Sequence, residues 1–222
     1  MKPALSIIFF TVSSGAGLGL LALIAIVDVF VSSSLPAHAL WRGALLGLLL
    51  VAAGLASSML HLANPKNAWR SFARFKSSWL SREAVFATAL FPVSGLYVVL
   101  VAESTSGVSR MLLALLTCAL AWAVLYCTAM IYASLKPIRQ WHTRWTPVNF
   151  VLLGHWSGAL LLWSITCAYA ARPSAFLFVA VVFGLAALAA KLAYWHAIED
   201  SAQALTLERA IGVREGARGP GP

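Results

Sequence analysis

The sequence predicts an all-α fold, a polytopic integral membrane bundle of about six transmembrane helices. Three observations carry that expectation. Of the 222 residues, 61% are apolar and only 10% charged, whereas soluble domains carry roughly a quarter charged residues. Apolar stretches of close to twenty residues recur along the chain, the length a helix needs to cross bilayer hydrocarbon. The 16 Lys and Arg residues that set the net charge of +9 fall mainly between those stretches. They read as topology determinants at a membrane surface, not as a nucleic-acid site.

The first span runs from about Ala4 to Val27 and carries Gly15, Gly17 and Gly19 at its centre. Small residues let membrane helices approach closely, which places this helix inside the bundle. Its apolar run is too long for a cleaved signal peptide, and no small-residue cleavage motif closes it. Asp28 follows as an interfacial carboxylate, with a proton relay as the other reading. The second span, about Leu40 to Leu60, enters through the interface anchors Trp41 and Arg42. Gly47, Gly54 and His61 are spaced by seven and share one helix face, so His61 points toward the packed interior.

A basic loop, residues 61–82, joins this span to the third, about Glu83 to Ala102. It holds Lys66, Arg70, Arg74, Lys76 and Arg82 beside Trp69 and Trp79, and part of it fits a short amphipathic surface helix. Ser81 can cap the third span, and Pro92 should kink it. The fourth span, about Met111 to Leu135, has no ionisable side chain except cysteine and tyrosine. A second basic loop with Lys136, Arg139 and Arg144 leads to the fifth span, about Val148 to Ala171, which holds His155. The sixth span, about Ala175 to Tyr194, ends near Lys191, which can snorkel. Residues 1–198 thus form a membrane anchor domain, and 199–222 form a short, partly disordered tail ending in GARGPGP.

Six spans put both termini on one side. Thirteen basic residues fall on that side and three, Arg42, Arg110 and Arg172, on the other. The positive-inside rule therefore puts both termini and the 61–82 loop in the cytoplasm.

Two residues stand out as chemistry. His61 closes one span and Glu83 opens the next, joined by a single loop. Ionisable groups at a packed membrane boundary are costly and tend to be functional. An imidazole titrates near neutral pH and suits the first proton of a quinol, which a carboxylate can relay to water. A first-turn carboxylate also has a purely structural reading through the helix dipole. Arg70 can pair with a quinone oxygen or an acidic partner. For His155, a haem ligand, a quinone contact and a bonded core histidine all stay open. Cys118, Cys127 and Cys167 lie singly within spans and form no metal-ligand motif. A haem b cytochrome would need His61 and His155 as axial ligands. A small transporter would need internal repeats and midplane polar sites, which the sequence does not offer.

The residues also carry a resemblance. His61-Leu62, Pro65, Ala68-Trp69-Arg70 and above all Ser78-Trp79-Leu80-Ser81-Arg82-Glu83 are similar to the signature of the DmsC family. These are the membrane anchor subunits of dimethyl sulfoxide reductase-type molybdoenzymes. Met130-Ile131-Tyr132-Ala133, Trp141, Thr146-Pro147, Phe150 and Thr206-Leu207-Glu208-Arg209-Ala210 with Gly212 resemble later family segments. The resemblance implies a bacterial inner-membrane subunit of anaerobic electron transport, free of haem and metal. It implies binding of quinol, such as menaquinol, from the quinone pool. It also implies two partners: a DmsB-like iron–sulfur subunit and a DmsA-like molybdopterin catalytic subunit. The family's quinol-site histidine and glutamate fall on His61 and Glu83. The family usually has eight spans; here the segment that leads toward the last two runs into GARGPGP.

Overall fold

The structure, a computed structural model, describes residues 5–31, 35–59, 69, 72–169 and 173–203. Among these residues run six α-helices: α1 Leu5–Phe30, α2 Ala37–Met59, α3 Trp79–Ala102, α4 Val108–Ala133, α5 Trp145–Tyr169 and α6 Pro173–Gln203. All six are long and apolar enough to cross a membrane, the architecture of a multi-pass membrane protein. Each expected span is present, with ends displaced by a few residues except at the end of the sixth, whose helix runs on from the expected Tyr194 to Gln203. The last helix continues past residue 199, where the tail was expected to begin. Helix α3 runs through Pro92 without interruption.

Helix α1 is the hub. Over its most apolar 18-residue window 72% of residues are buried, against 22% for α6. It packs on α2, α4 and α5, whereas α6 leans on α5. Lipid is as apolar as leucine, so membrane helices hold together by close packing and interhelical hydrogen bonds. The small residues of α1 supply both. A Cβ on Gly17 would sit 2.6 Å from the Gly47 carbonyl oxygen of α2, and one on Gly19 would overlap the Gly154 carbonyl of α5 outright. Ser13 donates to the Leu50 carbonyl at 2.8 Å, and Ser57 of α2 donates to that of Ser6 at 3.1 Å. The small-residue face predicted for α2 is therefore real at Gly47 and Gly54, the latter against Phe10 and Ser14. Its third member, His61, lies outside the described residues.

These contacts predict that Gly19→Ala destabilises the bundle by about 1–3 kcal/mol through overpacking. Gly95, whose Cβ would meet nothing within 4 Å, is the matched control. Gly95→Ala should be neutral or stabilising by roughly 0.5–1 kcal/mol through helix propensity. Thermal unfolding of both variants in detergent checks the contrast; equal melting points would remove the α1–α5 contact as a determinant of stability.

Candidate functional site

The end of the bundle that carries the starts of α1, α3 and α5 holds the candidate site. Helix α3 begins at Trp79, earlier than expected, because Ser78 is its N-cap and its side chain accepts the Ser81 backbone N–H at 3.4 Å. Ser81, expected as the cap, is instead the donor. The preceding residues 72–74 form a 3₁₀ turn. Arg82 ties down the turn that follows, residues 75–77: its guanidinium donates to the Phe75 carbonyl at 3.0 Å and the Lys76 carbonyl at 2.8 Å, and lies 4.2 Å over the Trp79 ring. Of the proposed amphipathic helix, Lys66 and Arg70 lie outside the described residues.

The early start moves Glu83 out of the first turn, so the helix-dipole reading of its carboxylate loses its basis. Glu83 is 5% exposed and faces α4, where its Oε1 accepts a hydrogen bond from Thr128 Oγ1. The same hydroxyl lies 3.0 Å from the Val124 carbonyl oxygen, so one hydroxyl proton meets two acceptors. An ionised Glu83 competes with Val124 for it. A protonated Glu83 donates to Thr128 while Thr128 donates to Val124. The pair can therefore take up or release a proton while staying hydrogen-bonded, as a relay requires. Tyr132 is one turn further along α4, stacked on Phe150 of α5 with ring centroids 5.2 Å apart. Of the residues predicted for the site, Glu83 is placed; His61 and Arg70 fall outside the described residues. Thr128 was not foreseen, since a threonine in an apolar span carries no signal until a carboxylate is set opposite it.

The far end of the bundle holds a second polar cluster. Asp28 was expected as an interfacial carboxylate and is instead 7% exposed and ion-paired. It accepts from Arg110 Nε at 2.9 Å and from Arg110 Nη2. The buried Tyr97 hydroxyl donates to it at 3.1 Å. Because α4 starts at Val108, Arg110 belongs to the helix and not to the loop. The cluster ties α1, α3 and α4 together. Only its signs were readable: the six-span topology sets an acid and a base at one end. At the same end Arg42 donates to the Tyr169 hydroxyl at 3.1 Å and lies 5.3 Å over Trp41, consistent with an interface anchor.

His155 is 3% exposed. Its Nδ1 lies 2.8 Å from the Val151 carbonyl oxygen, and its ring stacks on Phe183 and meets the edge of Trp122. Its Nε2 has no hydrogen-bond partner. No group of three or more His, Cys, Asp or Glu able to hold a metal occurs among the described residues.

Residues 1–212 match the family described as DMSO reductase anchor subunit (DmsC). The sequence is 36% identical to the C subunit of sulfite dehydrogenase from Allochromatium vinosum, over 96% of this protein and 71% of that one. It is 30% identical to the C polypeptide of anaerobic dimethyl sulfoxide reductase from Escherichia coli, over 50% of this protein and 39% of that one. No solved structure matches.

Proposed function

Because this protein belongs to the DmsC family of DMSO reductase anchor subunits, we propose that it binds quinol in the membrane and passes its electrons to an iron–sulfur partner. Quinol oxidation yields a quinone, two protons and two electrons. In this reading His61 takes a proton, Glu83 relays it, Arg70 holds a quinone oxygen, and the electrons leave to the partner's cluster. The single observation that carries the reading is Glu83, a buried carboxylate hydrogen-bonded to Thr128 at the bundle end to which the basic loop returns. A buried ionisable residue in a membrane span is costly and tends to be functional.

The relatives are named as subunits of sulfite dehydrogenase and of dimethyl sulfoxide reductase. The proposed complex accordingly has a DmsB-like iron–sulfur subunit and a DmsA-like molybdopterin subunit, acting on a sulfur oxyanion or an S-oxide. The excess of basic residues on one side supports cytoplasmic termini and a cytoplasmic docking face in the bacterial inner membrane. The test is a titration of membranes containing this protein with a fluorescent hydroxyquinoline N-oxide, a quinol analogue, against a His61→Ala variant. Saturable binding that His61→Ala weakens at least about tenfold supports the reading, since that factor corresponds to one good hydrogen bond to a buried group. Absence of saturable binding to the folded wild type would overturn it.

A further inference from the structure

A cavity of about 260 Å³ opens between α1, α4, α5 and α6, at the same end of the bundle as Glu83. We propose that this cavity seats the quinol ring, held by Asn149, Tyr132 and Lys191. The inference rests on the quinol reading above and adds to it residues around the ring besides His61, Arg70 and Glu83.

Asn149 carries the argument. It is 6% exposed and lines the cavity. Its amide nitrogen donates to the Trp145 carbonyl at 2.9 Å and to the Ala190 carbonyl at 3.5 Å. Those two carbonyls fix which end of the amide is nitrogen, since an oxygen there would face two acceptors. The amide oxygen, Oδ1, is buried without a hydrogen-bond partner. A buried acceptor left unsatisfied is costly, and a ligand that donates to it would remove that cost.

The other lining residues narrow the ligand. Lys191 brings a cationic donor, its Nζ 4.7 Å from the Tyr194 ring centroid. The Tyr194 hydroxyl is already committed to the Gln140 carbonyl at 3.0 Å. Tyr132 adds a hydroxyl and, stacked on Phe150, a flat aromatic wall. An acceptor-only anion such as a lipid phosphate would suit Lys191 but leave Asn149 Oδ1 stranded. A cationic ligand would meet Lys191. A neutral ring with a hydroxyl on one edge and an oxygen on the opposite edge satisfies both ends, and that is the chemistry of a para-quinol. Ile8, 43% exposed, also lines the cavity, and its apolar surface gives an isoprenoid tail a way out to lipid. Tyr132 and Thr128 are one turn apart on α4 and so lie on neighbouring positions of one helix face. A ring against Tyr132 is thereby set beside the Thr128–Glu83 pair.

The experiment is the same hydroxyquinoline N-oxide titration, run on the full-length protein with Asn149→Leu, Tyr132→Phe and Lys191→Met. Tyr132→Phe deletes one oxygen and keeps the stack, so it reports on binding even if Asn149→Leu folds poorly. Expected are affinities about tenfold lower for Asn149→Leu and about fivefold lower for Tyr132→Phe and for Lys191→Met. Wild-type binding left unchanged by all three variants, yet weakened by His61→Ala, would overturn the cavity and leave the quinol reading standing. No saturable binding to the wild type would overturn both. A co-purifying anionic phospholipid lost in Lys191→Met, with analogue affinity unaltered in every variant, would assign the cavity to lipid and overturn the proposal.

Discussion

Glu83→Gln is expected to lower quinol oxidation by the assembled complex by about 100-fold, the lower end of what a positioned proton-transfer group contributes. The substitution is chosen because it separates chemistry from structure. Glutamine has the same length, and its amide oxygen can still accept from Thr128 Oγ1, the bond that joins α3 to α4 at this end. What it cannot do is take up and release a proton. Analogue affinity should therefore stay within a few-fold of wild type while turnover falls. Thr128→Val is the companion variant. It leaves Glu83 ionisable but without its hydrogen-bond partner, and a smaller loss of about tenfold is expected from one charge-assisted hydrogen bond. Steady-state turnover with a short-chain quinol, alongside circular dichroism to establish folding, checks both. Full activity of folded Glu83→Gln would take Glu83 off the proton path.

Arg110→Met is expected to have the largest effect on stability, a loss of about 3 kcal/mol, because it strands a buried carboxylate. Asp28 is 7% exposed and takes its hydrogen bonds from Arg110 and Tyr97. Without the guanidinium, one neutral hydroxyl is left to compensate the charge. The double variant Asp28→Asn with Arg110→Met removes both charges and should recover most of the loss, since deleting a buried pair whole is far less costly than halving it. Unfolding by denaturant in detergent measures all three forms. A single variant as stable as wild type would mean that water reaches Asp28 and that the cluster holds nothing together. Tyr97 and Glu83 are both on α3, 14 positions apart, which is about 21 Å along a helix. Turnover per folded molecule should accordingly be unchanged in the double variant.

Much of the fold is legible in the sequence. The number of helices, their order and the central position of α1 follow from apolar run length and from Gly15, Gly17 and Gly19, because those properties are local. A span is set by about twenty consecutive side chains, and a glycine announces a close approach without naming the partner. Helix ends were less readable. The choice of Ser78 over Ser81 as the cap of α3 turns on which hydroxyl faces a free N–H, and both serines satisfy the pattern equally. That shift of one turn changed the meaning of Glu83, from a carboxylate at a helix start to one enclosed within the bundle.

What the sequence by itself determined is the class of molecule: a six-helix membrane anchor with two basic loops on one side, and Glu83 as a residue of interest. What only the tertiary structure decided is which polar groups meet. Thr128 faces Glu83, Arg110 and Tyr97 face Asp28, and Asn149, its amide oxygen buried and unpaired, lines a cavity shared with Tyr132 and Lys191. The physical reason is that a polar side chain in an apolar span is costly alone and tolerable when paired. Its role therefore belongs to the pair, and partners as far apart in the sequence as Asp28 and Arg110 are brought together only by helix packing.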